Sequence, residues 1–212
     1  MSILNNNNSI TRYKVSDIIR ANNKSVNEKI REGLTKNIFN EIKERSQQDY
    51  SIGWTSIKDP YEPNFENPES FLTGIILTIS MRIDSKKIPK KVFEKHMSIH
   101  EKEYLNEKVK RCNICKISKG ERKEIKNEVI SKLLMKTIPT PEIYDVIWNI
   151  EKKFIFLFTT KKQAREEFET LFKKSFNLDV EMLFPFTMAE NKNFPFENIV
   201  NAKRTTFFEK VA

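Results

Sequence analysis

The chain has two histidines and two cysteines, and all four lie within twenty residues: His96, His100, Cys112 and Cys115, in HMSIHEKEYLNEKVKRCNIC. Two closely spaced pairs of nitrogen and sulfur donors are what a tetrahedral zinc ion takes. A straight helix through Lys110 would set His100 ~15 Å from the cysteines, at about 1.5 Å per residue. One ion therefore needs the chain to turn back near residues 104–106. The other reading gives the histidines to the Phe93, Met97 and Tyr104 face of a helix and leaves the cysteines as reduced thiols in a loop. Both readings stay open, with Zn2+ the cofactor implied by the first. A redox role for the lone C-x-x-C lacks the surrounding β-α-β pattern.

The second chemistry is charge. The chain carries 38 basic and 29 acidic side chains, a net +9. Residues 86–136 hold 16 Lys/Arg against 7 Glu, so this one segment carries the entire excess. Such concentration points to a polyanion partner more than to general solubility. The candidate contacts are Lys90, Lys91, Lys110, Arg111, Lys116, Lys119, Arg122, Lys123 and Lys126. Lysine dominates, which favours point-charge contacts to phosphate over base reading. The bland reading of the same segment is a solvated helix laced with i,i+4 pairs such as Glu128–Lys132.

A third possibility fails on placement. Asp59, Glu62, Glu66 and Glu69 are numerous enough for a two-metal nuclease site. They stand on an irregular Pro-rich loop, DPYEPNFENPE, with no strand to hold them at fixed separation, and read as a solvated acidic loop. There is no P-loop and no G-x-S-x-G.

These residues need elements to position them. ITRYKV alternates as a first strand. Ser25 and Glu28 form a capping-box pattern, after which Val26, Ile30, Leu34, Ile38 and Ile42 recur every four residues, predicting a helix through Arg45. FLTGIILTISMRID reads as a strand rich in β-branched residues. KKIPKKVFEK opens a second helix with Pro89 in its first turn, breaking near Cys112. Ser118 and Glu121 open a third helix, which ends before Pro139 and Pro141. YDVIWNI and KFIFLF are strands, Thr160 caps a helix with the stripe Ala164, Phe168, Leu171 and Phe172, and NLDVEMLF is the last strand. The order predicts an α+β fold, antiparallel or mixed sheets with packed helices and a projecting antiparallel helical hairpin. It divides as 1–85, an N-terminal β-α-β part of the body; 86–138, the basic hairpin; and 139–212, a C-terminal β-β-α-β part. The asparagine run at 5–8 reads as a disordered tip.

Sixteen phenylalanines are ample for a core. KFIFLF and the FPF pairs, Phe184 with Phe186 and Phe194 with Phe196, read as core or dimer interface rather than stacking platforms. Apolar surface on these strands predicts a symmetric homodimer. Trp54 after Gly53 reads as a core anchor. Two cysteines make no disulfide framework, the N-terminus lacks a signal-peptide pattern, and the longest apolar run is too short for a bilayer. A soluble cytoplasmic protein with no membrane partner is expected.

In order, the GW pair at Gly53 and Trp54, KKIPKKV, the hairpin with GERKEIKNEV and its ending LL, VIWNI, and KQAREEFETLFKKSFNLDVEML together resemble the RdgC family over roughly residues 10–190. The resemblance implies a ring-shaped dimer with a basic central hole. It also implies binding to duplex and single-stranded DNA with little sequence preference, restraint of RecA-dependent recombination or replication at the nucleoid, and no established catalytic centre. Some members carry an exonuclease label. The chain is shorter than is usual in that family, its hairpin loop is longer and carries the cysteine pair, and Thr137-Ile138 stands where the family tends to have Ala-Phe. The resulting reading is a non-catalytic, non-sequence-specific DNA-binding protein of the RdgC type. The alternatives are an exonuclease or nuclease accessory subunit, and an interaction module that docks an acidic partner on the basic hairpin.

Overall fold

Alternation makes residues Thr11–Val15 the first strand, β1: Thr11, Tyr13 and Val15 are buried and Arg12 is exposed. The structure, a computed structural model, describes residues 9–17, 25–112, 116–184, 187–188 and 201. The asparagine run at 5–8 and Phe186, Phe194 and Phe196 lie outside these. Helix α1 (Val26–Lys36) opens with the expected capping box: the Ser25 hydroxyl accepts from the Glu28 N–H, and the Glu28 carboxylate accepts from the Ser25 N–H.

The helix stops nine residues short of the expected end. Asn37 leaves the helical conformation and turns its side-chain amide back onto the Gly33 carbonyl. Ile38 then bridges Trp54 in parallel, and the Phe39 N–H donates to the Trp54 carbonyl at 2.9 Å. Trp54 belongs to strand β2 (Tyr50–Thr55), which the hydrophobic pattern did not single out. Gly53 permits this approach, since a Cβ there would lie 2.4 Å from the Phe39 Cα. The Ile38 and Ile42 positions of the four-residue repeat thus lie beyond the helix, on chain that meets β2 at Ile38 and Phe39, and Trp54 is fully buried, as expected.

FLTGIILTISMRID is two strands, β3 (Leu72–Thr73) and β4 (Ile76–Ser85), because Gly74 turns the chain at φ +61. Helices α2 (Lys90–Cys112) and α3 (Lys119–Lys136) follow, then β5 (Thr140–Asn149), β6 (Phe154–Leu157), α4 (Lys162–Phe176) and β7 (Val180–Met182). Thr160 does not cap α4. The cap is Lys161, whose N–H donates to the Thr159 hydroxyl. The fold is α+β: among the described residues seven strands form one sheet, in the order β2-β4-β5-β6-β1-β7, with β3 on β4. Pairings β1–β6, β1–β7, β2–β4, β3–β4 and β5–β6 are antiparallel.

The chain divides into two compact units, each gathered from separated stretches. The first takes residues up to 37, 65–79 and 144 onward. Its core joins Tyr13 to Phe168 and Trp148 to Phe172, with ring centroids 5.3 and 5.1 Å apart. Gly33 of α1 faces the Ser175 carbonyl of α4 with no room for a Cβ. The second unit takes residues 38–64 and 80–143, including all of the basic segment. Among the described residues no helix is long and apolar enough to cross a membrane.

Candidate nucleic-acid interface

Helices α2 and α3 pack along a narrow apolar seam. Ile125, Val129 and Leu133 of α3 are buried against Phe93, Met97 and Tyr104 of α2, with Ile88 and Ile117 at the margins. At a period of 3.6 residues, Lys119, Arg122, Lys123 and Lys126 fall on one flank of the α3 stripe, and Glu121, Glu124 and Glu128 on the other. The helix is therefore divided by charge around its own axis. Glutamate contacts agree with this. Glu121 meets Tyr104 and Lys108, and Glu128 pairs with Lys132 at 2.7 Å and lies near His100.

The basic flank lines a groove of about 610 Å3. One wall is Lys119, Arg122, Lys123 and Lys126; the other is Glu94, Ser98 and Glu101 of α2; Phe93 and Met97 lie between. The acidic wall was not picked out from the sequence, although Glu94, Ser98 and Glu101 have the spacing of one helix face. Arg122 is tied to it, its Nε donating to Glu101 at 2.7 Å. Among the described residues Lys119, Lys123 and Lys126 have no acidic partner, and all three are exposed.

Other cations of the segment differ in availability. Lys90 is exposed and 3.8 Å from Glu94, while Lys91, Lys110 and Lys116 are exposed. The Arg111 side chain lies outside the described residues. Lys86 is buried, its Nζ donating to the Ser46 and Leu134 carbonyls at 2.9 and 3.0 Å, so it closes the end of α3. Lys108 donates to both Glu121 oxygens, at 2.7 and 2.8 Å, and to the Lys116 carbonyl.

Glu121 is the tie at this end of the pair. The Lys108 ammonium, then the Ser118 N–H and hydroxyl, then the Tyr104 hydroxyl hold its carboxyl down to about 2, against an ordinary value of 4.5. The folded value is the lower one. The stabilisation is therefore complete above the ordinary value and lost as pH falls through about 2. Thermal melting followed by helical circular dichroism should decline from pH 5 to pH 2, and Glu121→Gln should flatten that decline. An unchanged pH profile in the variant would count against the tie.

Of the candidate metal ligands, His100 and Cys112 are not brought together. His96 and His100 share a face of α2, with His100 Nδ1 3.5 Å from Glu103. Helix α2 runs unbroken to Cys112, which places that residue ~18 Å along the axis from His100. Zinc–ligand bonds are about 2 Å, so these two residues of one chain cannot share an ion. Cys115 lies outside the described residues. Among the described residues no group of three His, Cys, Asp or Glu side chains could hold a metal. The acidic loop is structured locally by Asp59, which accepts from the Tyr61 and Glu62 N–H groups.

Comparison with known proteins gives one family. The family model described as "Putative exonuclease, RdgC" matches residues 8–193 of 212. No curated protein matches the chain. With the match spanning most of its length, the chain belongs to the RdgC family.

Proposed function

We propose that this RdgC-family chain is a recombination-associated protein that binds duplex and single-stranded DNA without regard to sequence, through the basic flank of α3. The observation that carries the reading is the row Lys119, Lys123 and Lys126: exposed, on one helical face, without an acidic partner among the described residues. Lysines at this spacing meet phosphates as point charges, and the release of counterions drives such binding. Lys91 and Lys116 add to the positive field. Gel-shift titrations in salt on unrelated duplexes, and on their separated strands, test it. Affinities that are equal across sequences within each form and that fall steeply with salt are expected. No binding at low salt would sink the reading and leave an acidic protein as the partner of the row.

The family's description favours a second reading, exonuclease. End-labelled DNA incubated with the protein and Mg2+ distinguishes the two: label released with time supports the nuclease, and intact DNA supports binding alone.

Two copies are expected to associate. Ile138, just beyond α3, is 85% exposed and so accessible to a second copy. Ile138→Glu should shift sedimentation from dimer toward a ~25 kDa monomer. A wild-type monomer at tens of micromolar would overturn the dimer.

A further inference from the structure

We propose that the open face of β5, β6 and β1 is a stacking platform for single-stranded nucleic acid, centred on Phe154 and Phe156. Alternation along β6 sends Ile155 and Leu157 into the core, both fully buried, and leaves Phe154 40% and Phe156 36% exposed. The KFIFLF strand therefore does two jobs, one per face, where the sequence reading assigned it to core or dimer contact alone.

Strand register gives each ring a basic neighbour on β1: Arg12 stands opposite Phe156, and Lys14 opposite Phe154. On the other side Ile147 stands opposite Phe156 and Asn149 opposite Phe154. Directly opposed residues have Cβ atoms ~5 Å apart, so ring and cation form one continuous surface. Glu181 of β7 stands opposite Lys14 and tempers that charge, which leaves exposed Arg12 as the principal phosphate contact. Lys152 and Lys153 lie in the turn that leads into Phe154.

The choice of occupant follows from this mixture. Two rings two residues apart on a strand stand ~7 Å apart, a separation that suits successive unstacked bases rather than the closed edges of a duplex. Every base has a π-face, so stacking on phenylalanine tolerates sequence, and cations beside the rings follow the backbone. A second copy pairing through the same face would gather two Arg12 and two Lys14 side chains at one contact, with Glu181 as the acid that strand register sets beside them. The platform uses none of the residues of the Lys119–Lys126 row, and it stands whether or not that row binds DNA.

The test is anisotropy titration of the full chain with a labelled oligothymidylate and with a blunt duplex of equal length. Phe154→Ala with Phe156→Ala should weaken single-strand binding about thirtyfold or more, since each stacked base is worth ~1–3 kcal/mol. Duplex binding should stay within about twofold, and Phe154→Tyr with Phe156→Tyr should keep wild-type affinity for both. The alanine pair should leave the salt slope unchanged, whereas Arg12→Gln should lower it by about 0.7 on single strands. Single-strand affinity unaffected by the alanine pair would overturn the platform, as would equal losses on both probes. Conversion of a dimer to a monomer with single-strand binding intact would make the face a self-association surface and overturn it too. If the alanine pair melts far below wild type, the exposed Arg12 position decides, and an unchanged slope there overturns the proposal.

Discussion

Replacing Lys119, Lys123 and Lys126 together by Gln is expected to flatten the salt dependence of duplex binding by about two to three units, and to weaken binding equally on unrelated sequences. Each phosphate neutralised contributes about 0.9 to the slope of log affinity against log salt. Three contacts carried from a 1 M reference to 0.1 M amount to roughly two and a half decades of affinity by the same relation. The loss should come from charge alone. All three positions are exposed on α3, Gln keeps much of the aliphatic stem, and its helix propensity is close to that of Lys. The packed stripe Ile125, Val129 and Leu133 is untouched. Two controls sharpen the result. Glu62→Gln with Glu66→Gln, in the acidic loop, should leave the slope alone. Glu101→Gln removes the acid that engages Arg122 across the groove, and should strengthen binding and steepen the slope. If the triple variant keeps both affinity and slope, α3 is not the DNA-binding element, and the segregation of charge has another cause.

What could be read in the sequence was largely what is local. Both capping boxes formed where Ser25 with Glu28 and Ser118 with Glu121 predicted them, because their hydrogen bonds span three residues. The α+β class followed from periodicity, and the family from an ordered set of short stretches. What could not be read was set by contacts distant in sequence. The end of α1 was decided by the missing Cβ of Gly53 and the backbone of Phe39, invisible in a repeat of Ile30, Leu34, Ile38 and Ile42. Lys86 and Lys108 look like any other cations of the basic segment, yet one closes the end of α3 and the other is held by Glu121. Composition counts charges; only packing says which remain free for a partner. His100 and Cys112 show the same limit. They are neighbours in sequence, but the unbroken helix holds His100 and Cys112 apart.

Removing the carboxylate of Asp84 is expected to destabilise the protein by about 3 kcal/mol, the lower end of what breaking a buried ion pair costs. Asp84 and Arg82 project from the same face of β4, and both are buried. The guanidinium binds the carboxylate by two donors, Nε and Nη2, each at 2.8 Å. It lies between the Phe39 ring at 4.3 Å and the Tyr61 ring at 5.1 Å. Without Asp84 the cation keeps, among the described residues, the two rings and two long hydrogen bonds, to Glu41 and the Pro60 carbonyl, each at 3.4 Å. Those partners, one of them largely in solvent, are why the lower figure applies. The cost comes from an uncompensated buried charge rather than from the pair's own attraction. Arg82→Met with Asp84→Val, which removes both charges and keeps an apolar filling, should therefore recover most of the loss. Urea unfolding of wild type, Asp84→Ala and the double variant would give the three midpoints. Asp84→Ala within about 1 kcal/mol of wild type would mean that water reaches Arg82, and a double variant less stable than Asp84→Ala would mean that the ion pair itself holds the strand. Both variants keep the Lys119, Lys123 and Lys126 row, so below their unfolding midpoints they should bind duplex DNA with the wild-type salt slope.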